Sequence, residues 1–490
     1  MATSAISTVL GKTSVKNSPS DFSTTCRELN ETFASGRTKS IQWRKWQLKQ
    51  QWWMIDENEN EILAALTSDL GRHEMECRSP DILGLKTDIL EHIEKIEEWA
   101  VTKPIHDAGL LFGRLGKARL LMEPLGVVLI IGDAVVIKPS EMAKLISSYL
   151  DQSTIRVVTG GPQETSKLLE NKFNHIFFTG SAKIARFITA AAAKHLTPTT
   201  LELGGQCPAI VTKSANIELA AKRIAAVKFL NAGQICLAVN HVFVDPRVHD
   251  EFLSKLEHYM RQSADTGHMC RIINRRNYGR LQDMVNKSEG KVIHCGLGPK
   301  GKNSMGPIIV ANVSLIDSVM SDELFGPICP VLKDAVSEAI TAINSLPRPL
   351  ALYIFSSDNA ETERIQSGTI SGGVTLNDAT MHAGVPNAPF GGVGDSGMGY
   401  YHGKYGFLGF THQRTVVEPP TWLDYVMGFR YPPYDMGNLS KLAVPNRLGF
   451  RKGETMEDQI LGSSRSVRVP WRSLMLVGVL GSFVYWIDSH

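Results

Sequence analysis

Apolar positions recur along the chain at two spacings, and the change between them predicts where helices give way to strands. From about residue 25 to residue 103, apolar side chains return every three or four positions, which is the period of helices that bury one face. Pro104 ends this pattern. The first part of the chain after its N-terminal arm is therefore predicted to be helical.

Short apolar runs follow and alternate with helical patterns. Strands are predicted at 127–131, 134–137, 155–158, 175–178, 209–211, 241–244, 351–355 and 372–376, and helices at 162–170, 184–194, 217–229, 248–260 and 361–367. A weaker alternation at 110–122 predicts an extended ribbon. Strands that alternate with helices indicate an α/β fold with doubly wound parallel sheets.

The composition is that of a globular protein, with 43% hydrophobic and 21% charged residues. A chain of 490 residues is too long for one ordinary core, so two domains with appendages are expected. The net charge of +3 argues against a nucleic-acid-binding surface. The 7 cysteines form no CxxC pair or Cys/His cluster, so we predict no metal site, no disulfide framework and a reducing compartment.

The two ends of the chain differ from its body. Residues 1–24 are rich in Ser and Thr, which predicts a disordered arm and not a secretory signal. Residues 474–487 form an uncharged apolar run of 14 residues, shorter than the roughly 17–25 residues of a usual membrane span. This run is either a helix packed on a partner subunit or a membrane anchor. Arginines before it and Tyr485-Trp486 near its end favour an anchor with the body in the cytosol.

One cysteine stands in a setting unlike that of the others. Cys236 follows the polar, small-residue loop Asn231-Ala-Gly-Gln234, which allows a tight turn after a predicted helix. A thiolate can attack a carbonyl carbon, and a nearby carboxylate can later deprotonate a water molecule. Glu202, before Gly204-Gly205, is the candidate carboxylate. Taken singly, Cys236 could equally be an inert buried thiol, and Glu202 a plain strand terminus.

Two further motifs have the character of nucleotide-binding turns. Gly180-Ser181 ends a predicted strand and opens a helix, so it can present backbone N–H groups and a hydroxyl to a phosphate. Lys138 and Glu141 follow the predicted strand at 134–137, at the end where open α/β sheets bind ligands. The alternatives are an ordinary turn and a solvated edge lysine.

The order of these motifs resembles the aldehyde dehydrogenase superfamily and, within it, the class of fatty-aldehyde-type enzymes. The resemblance covers about residues 25–425. The matching segments are Pro124-Leu-Gly-Val-Val128, Ala134-Val-Val-Ile-Lys-Pro-Ser-Glu141, Phe178-Thr-Gly-Ser181, Leu201-Glu-Leu-Gly-Gly205, Gln234-Ile-Cys236, Glu323-Leu-Phe-Gly-Pro327 and Pro389-Phe-Gly-Gly-Val-Gly394.

The resemblance implies oxidation of aldehydes, with long-chain aliphatic aldehydes as the substrate class and NAD or NADP as the cofactor. It implies that Cys236 is the nucleophile, which forms a thiohemiacetal and then a thioester, and that Glu202 activates the hydrolytic water. The implied cofactor contacts are Lys138 and Glu141 at the adenine-side ribose, Gly180 and Ser181 at the pyrophosphate, and Glu323 and Phe325 at the nicotinamide ribose.

The resemblance also implies a domain organisation and an assembly. A Rossmann-like cofactor domain would span 25–105 and 122–205, an α/β catalytic domain 206–399, and a small β bridging and oligomerisation segment 106–121 and 400–425, followed by an irregular tail at 426–473. Members of this class often carry a C-terminal membrane anchor, which favours that role for 474–487, with the body on the cytosolic side of a membrane such as the endoplasmic reticulum. A cytoplasmic protein is the alternative. The implied assembly is a homodimer.

The chain departs from the family in places that matter for activity. Only Gly132-Asp133 separates the predicted strands 127–131 and 134–137, whereas a parallel crossover needs about a dozen residues or more. The family has a helix there and an asparagine that donates to the thiohemiacetal oxygen, and no residue of this chain matches it. The stretch 142–153 is also short, and Ala185 replaces a second glycine of the phosphate turn.

These departures keep two other hypotheses open. The first is a catalytically impaired protein of the same fold that serves as a binding or dimer partner. The second, a minor one, is esterase-type acyl transfer by Cys236 without a cofactor.

Overall fold

The structure is a computed structural model that describes residues 19–132, 139–438 and 452–458. The strand predicted at 134–137 and the apolar run at 474–487 lie outside the described residues. The chain divides into two units, Met1–Glu418 and Pro419–His490, and every strand named below belongs to the first.

The strands, in chain order, are β1 (Lys103–Pro104), β2 (Arg119–Pro124), β3 (Val128–Ile131), β4 (His175–Gly180), β5 (Thr199–Leu203), β6 (Pro208–Val211), β7 (His241–Val244), β8 (Lys291–His294), β9 (Ile308–Ala311), β10 (Ile328–Lys333), β11 (Ala351–Phe355), β12 (Gly373–Leu376), β13 (Gly397–Met398) and β14 (Thr411–Val416).

The α-helices are α1 (Pro19–Ala34), α2 (Ile41–Glu57), α3 (Glu59–Leu70), α4 (Glu74–Cys77), α5 (Leu85–Ala100), α6 (Pro139–Tyr149), α7 (Pro162–Leu168), α8 (Ala182–Ala193), α9 (Ile217–Phe229), α10 (His249–Asp265), α11 (Arg275–Lys287), α12 (Val336–Ser345), α13 (Asn359–Gly368), α14 (Gly403–Gly409) and α15 (Leu423–Met427). Because α1–α5 fill the range from 25 to 103, the helical region predicted there is confirmed.

The largest sheet has seven strands in the order β12-β11-β6-β7-β10-β9-β8. Its neighbours pair in parallel except for β8, which runs antiparallel to β9. The strands β6, β7, β9 and β11 are buried along their whole lengths. Strands covered on both faces read as continuous apolar runs, which is the pattern that predicts them in the sequence.

A second sheet has the order β13-β5-β4-β3, in which β3, β4 and β5 are parallel and β13 is antiparallel. The register pairs Thr179 with Glu202 and Gly180 with Leu203. Glu202 and the Gly180-Ser181 turn therefore lie at the carboxyl ends of adjacent parallel strands. Together with the first sheet, this arrangement confirms the α/β fold class.

The third sheet is antiparallel, in the order β1-β2-β14. The ribbon predicted at 110–122 is wrong in its first half, because Gly109–Leu115 form a π-helical turn and only β2 is extended. Backbone N–H groups of Gly116 and Ala118 donate back to the carbonyls of Leu111 and Phe112, both at 2.9 Å. These local hydrogen bonds replace a strand ladder at this place.

Two other predictions are corrected by the structure. The arm at 1–24 is not disordered throughout, because α1 begins at Pro19 and places Phe22 and Cys26, four positions apart, in the core against β3 and β4. The strand predicted at 155–158 is also wrong. The N–H groups of Thr154 and Ile155 donate to the Asp151 carbonyl at 3.0 and 2.9 Å, so the chain turns there, and 155–158 pair with none of the strands that the structure describes.

Within the described ranges, no helix combines the length and the hydrophobicity that crossing a bilayer requires.

Candidate active site

The loop before Cys236 has a left-handed backbone at three consecutive residues. After α9 ends, Asn231, Ala232 and Gly233 have φ values of 49°, 52° and 71°. Asn and Gly adopt this conformation readily, whereas an alanine there is strained. A Cβ on Gly233 would lie 2.4 Å from the carbonyl oxygen of Gly326, so only glycine fits at this position. The small polar residues noted in the sequence are thus required by the turn.

Side-chain amides hold this loop in place. The Asn231 amide donates to the Gln234 carbonyl at 2.8 Å, and the Gln234 amide donates to the Arg271 carbonyl at 3.0 Å. The Gln234 side-chain oxygen accepts from the Ile273 N–H at 3.0 Å. The Glu76 carboxylate accepts from the Asn231 N–H. The loop is therefore tied to two separate segments of the chain, and Cys236 follows it with some exposure to solvent.

Glu202, on β5, is a buried carboxylate without a hydrogen bond among the described residues. It is 5% exposed, and neither of its oxygens has a partner there. Burial raises the pKa of Glu202 to about 9. A buried carboxyl group with no partner is costly. Such a group is a candidate for work on a ligand or a water molecule.

Glu323 lies against the glycine pair that follows Glu202. A Cβ on Gly204 would lie 2.4 Å from a carboxylate oxygen of Glu323, and the Gly205 N–H donates to this carboxylate. Burial raises the pKa of Glu323 to about 7, although the Gly205 N–H, Arg280 and Lys228 oppose the rise. Gly204 is thus needed for the close approach of this side chain, and Gly205 contributes its N–H.

The thiol and the two carboxylates share one site. Burial raises the pKa of the Cys236 thiol to about 12, and the charges of Glu323 and then Glu202 add to the rise. The backbone N–H groups of Cys236 and Leu237 oppose it. The structure thus brings together Cys236, Glu202 and Glu323, which are far apart in the sequence.

The Gly180-Ser181 turn also takes the predicted position. Gly180 ends β4, and the Ser181 hydroxyl caps α8 by accepting from the Ile184 N–H at 3.5 Å. Ser181 is exposed, so the N-terminus of α8 is open to solvent. Ala185 is buried in the core beneath α8 at 3% exposure, where its methyl group packs without distorting the helix.

The remaining predicted residues are described to different extents. Phe325 is half-buried next to Glu323 and has a left-handed φ of 52°. Lys138 lies outside the described residues. Glu141 belongs to α6, but its side chain lies outside the described part of the chain.

Comparison with known proteins identifies the architecture. The aldehyde dehydrogenase family profile matches residues 118–416. The chain belongs to the aldehyde dehydrogenase family. The resemblance seen in the sequence is thereby confirmed, as are an oxidoreductase activity on aldehydes and the use of NAD or NADP.

Relatives match over most of their length. A β-apo-4′-carotenal oxygenase of Neurospora crassa is 39% identical over 452 residues, which cover 85% of this chain and 84% of the relative. A dimeric, NADP-preferring aldehyde dehydrogenase of Rattus norvegicus is 37% identical over 451 residues, 84% of this chain and 98% of the relative. The substrate-bound structure of Staphylococcus aureus AldH superposes with a TM-score of 0.77 at 31% identity, covering 84% of this chain and 99% of that one.

Three polar residues of this aldehyde dehydrogenase that no sequence motif indicates lie beside the site. Lys228, Asn240 and Arg280 all bond to the turn that carries Glu323. A signal for one of them was present, since Lys228 lies on the apolar stripe of α9 formed by Ala221, Ile224 and Ala225. A lysine on the buried face of a helix is unusual, because buried lysines almost always have a partner.

Proposed function

We propose that this aldehyde dehydrogenase oxidises long-chain aldehydes to carboxylic acids through covalent intermediates on Cys236. The proposal rests chiefly on the buried Glu202 carboxyl group, which has no hydrogen-bond partner among the described residues and whose charge raises the pKa of the Cys236 thiol. A nucleophile and a base of raised pKa in one site suffice for acyl transfer to water.

In the first stage, the Cys236 sulfur attacks the aldehyde carbon, and the carbonyl oxygen becomes the alkoxide of a thiohemiacetal. The thiol must lose its proton, and Glu202 is a suitable acceptor because burial raises its pKa to about 9. The backbone N–H of Cys236, which lies close to the sulfur, is the donor available for the alkoxide. A nicotinamide cofactor bound beside Glu323 and Phe325 would supply the acceptor for the hydride of the thiohemiacetal carbon.

In the second stage, Glu202 removes a proton from a water molecule, which attacks the thioester carbonyl. The carbon–sulfur bond breaks, the carboxylic acid leaves, and the thiolate of Cys236 is restored. The same buried carboxyl group serves both stages as its ionised form: it takes the proton of the thiol, releases it to solvent, and then takes a proton from water.

The residues of the cofactor side fit a dinucleotide on two grounds. The open N-terminus of α8 after Gly180 suits a pyrophosphate, with Ser181 beside it. Glu323, held over Gly204, and Phe325 would contact the nicotinamide ribose. Lys138 and Glu141 would contact the adenine-side ribose.

We further propose a homodimer and a membrane-anchored location. Val374 and Leu376 on the edge strand β12 are 36% and 47% exposed, and an apolar sheet edge of this kind suits pairing with a second copy. The apolar run 474–487, preceded by arginines, suits an anchor that leaves the body in the cytosol. A cytoplasmic protein is the alternative, and membrane fractionation with and without 466–490 decides between them.

The second candidate is an impaired enzyme that serves as a binding partner. It is favoured by the two residues, Gly132-Asp133, that stand where the family has a helix and an oxyanion-donating asparagine. Loss of one oxyanion donor lowers rates by about 10²–10³ in a hydrolase.

Two measurements on the purified protein test the proposal. NADH or NADPH should form from a long-chain aldehyde, and NAD⁺ or NADP⁺ should raise the unfolding temperature. A thermal shift without turnover would favour the impaired partner. The absence of both would refute the dehydrogenase function, and ester hydrolysis without cofactor would then favour acyl transfer by Cys236 alone.

A further inference from the structure

The backbone turn that carries Glu323 is held by polar side chains from three sides. Arg280, on α11, donates to the carbonyls of Glu323 and Leu324 at 3.0 and 2.6 Å. The Asn240 side-chain oxygen accepts from the Leu324 N–H at 2.9 Å. Lys228, on α9, donates to the Gly326 carbonyl at 3.3 Å. The turn is therefore fixed at four backbone atoms, two of them bound by Arg280.

The Gly326 carbonyl is also the place where this turn meets the cysteine loop. Its oxygen lies so close to Gly233 that a Cβ there would be 2.4 Å away. The Lys228 ammonium thus holds the carbonyl at which the Glu323 turn meets the loop leading to Cys236. A shift of this carbonyl would move the Glu323 turn relative to the cysteine loop.

Lys228 is buried at a cost to stability. The residue is 2% exposed, and its one hydrogen bond to a described residue is the bond to Gly326. Burial lowers its pKa to about 8, against the charges of Cys329, Glu323 and Cys207. His241, on β7, adds no second positive charge, because burial and Lys228 lower its pKa to about 3. A methionine would fill similar space without burying a charge.

We propose that Lys228 is a positioning residue, whose buried ammonium fixes the Gly326 carbonyl and, as one of two cations beside the turn that carries Glu323, favours the carboxylate form of Glu323. This inference rests on the proposed function for the role of Glu323, but the Lys228–Glu323 coupling can be measured without turnover. Arg280 donates to two other carbonyls of the turn, and its charge also lowers the pKa of Glu323.

Several groups face Glu323 and set its ionisation together. They are Gly205 after β5, Cys207 before β6, Lys228 on α9, Cys236 after the cysteine loop, Arg280 on α11 and Asp322 on its own turn. Among these, Lys228 lowers the pKa of Glu323. Its removal should therefore raise the pH at which Glu323 loses its proton.

The first experiment compares Lys228→Met with Lys222→Met in the full-length protein. Lys222 lies on the same helix and is exposed, so it controls for loss of a lysine from α9. We expect Lys228→Met to lower kcat/KM about tenfold to hundredfold, as loss of a hydrogen bond from a charged group does. The acid limb of its pH profile should move to higher pH, and Lys222→Met should change neither.

A double-mutant cycle gives a second readout that needs no activity. Unfolding of the parent, Lys228→Met, Glu323→Gln and the double variant should give a non-additive result, with the double variant more stable than the two single effects predict. Additive effects, or an unmoved pH limb in an active Lys228→Met, would overturn the proposal. A coupled cycle in a protein without turnover would instead refute the proposed function and leave the Lys228–Glu323 pairing in place.

Discussion

The two parallel sheets that meet at the active site are unequally built. In the seven-stranded sheet, four strands are buried along their whole lengths. In the four-stranded sheet, three of the four residues of β3 are only partly buried, and β13 contributes two residues. The cysteine loop and the Glu323 turn thus adjoin the larger sheet, whereas Glu202 and the Gly180-Ser181 turn lie on strands of the smaller one.

A cavity marks the smaller sheet. A space of 410 Å³ lies between α1 and β3, and its lining includes Cys26, Phe33, Val128, Ile130 and Val158. The connection that follows β3 is shorter than in the family, since only two residues separate Ile131 from the next predicted strand. Ile155, Arg156 and Val158, in the segment that the pattern predicted as a strand, line this cavity, and the segment pairs with none of the described strands.

The difference between the two sheets predicts which part of the site is weakened by the shortening near 131–134. Glu323 and the cysteine loop are anchored to the complete sheet, whereas Gly180 and Ser181 follow β4 of the smaller one. We therefore expect the shortening near 131–134 to weaken cofactor binding more than it disturbs the thiol. Variants beside each sheet test these two parts of the site separately.

The largest effect is expected from Cys236→Ser. A hydroxyl in the place of the sulfur lacks a nucleophile of comparable strength, and removal of a catalytic nucleophile lowers turnover by roughly 10⁴-fold or more. Aldehyde oxidation should fall to background, while the thermal shift caused by the cofactor persists because the smaller sheet is untouched. Cofactor-dependent formation of NADH measures the loss.

Cys295→Ser is the matched control, because Cys295 is a buried thiol of the same hydrophobic core but outside the site. This variant should keep its turnover even if its unfolding temperature falls. Retained oxidation in Cys236→Ser would remove Cys236 as the nucleophile.

Glu202→Gln should slow the release of product by about 10²–10⁴-fold, the usual worth of general-base catalysis. The first turnover should still produce NADH, more slowly than in the parent because the thiol has lost its proton acceptor, and the acyl-enzyme should accumulate. Rapid mixing followed by intact mass measurement checks for the covalent adduct. Steady turnover equal to that of the parent would exclude Glu202 as the base that activates water.

The same variant should change the pH dependence of stability. The pKa of Glu202 is about 9 in the folded protein, against an ordinary value of 4.5. The folded state therefore keeps a proton that the unfolded chain releases in this window. The stability contributed by Glu202 is fully present below about pH 4.5 and is lost as the pH rises towards 9. Glu202→Gln should lack this decline.

The sequence predicts the residues of the site better than it predicts the strands of the sheets around them. Asn231 and Gly233 could be recognised because a left-handed turn needs such residues, and Gly180-Ser181 because a strand–turn–helix unit is local. By contrast, β9 and β10 went unassigned, since short apolar runs fit a strand and a buried helix segment equally. Strand pairing depends on distant partners, which also explains the error at 155–158.

Lys228 shows why sequence motifs do not indicate every residue of the site. Its spacing from Ile224 places it on the buried face of α9, but the sequence does not say which carbonyl it would meet. The contact with Gly326 joins two segments that are 98 positions apart in the sequence. The roles of such residues follow from tertiary contacts and not from local pattern.

Gly233→Ala tests how rigidly the larger sheet holds the cysteine loop. Gly233 has a φ of 71°, and a Cβ there would lie 2.4 Å from the Gly326 oxygen. We expect destabilisation by about 1–3 kcal/mol from backbone strain, with further loss from the clash, and a lower kcat because Cys236 shifts. Thermal unfolding and steady-state kinetics measure the two effects.

Gly279→Ala provides the contrast, because Gly279 lies within α11 and a Cβ there meets no atom within 4 Å. Alanine is favoured over glycine in a helix by about 1 kcal/mol, so this variant should be slightly more stable. Equal stability of the two alanine variants would show that the cysteine loop adapts and that its glycine is not required.

The smallest effect is expected from filling the cavity of the smaller sheet. Val128 lines the 410 Å³ space on β3. Val128→Ile adds one methylene group that can enter this space, and burial of such a group stabilises by up to about 0.8 kcal/mol. Chemical denaturation of the parent and the variant measures the difference.

The same change in the larger sheet should have the opposite sign. Val211, on β6, is fully buried in the catalytic core. Val211→Ile adds a methylene group where no described space accepts it, and overpacking of this kind costs about 1–3 kcal/mol. If both isoleucine variants were destabilised alike, the two sheets would be equally well packed. Weak cofactor binding would then have to be traced to the shortened segment itself and not to a loosely packed sheet beneath it.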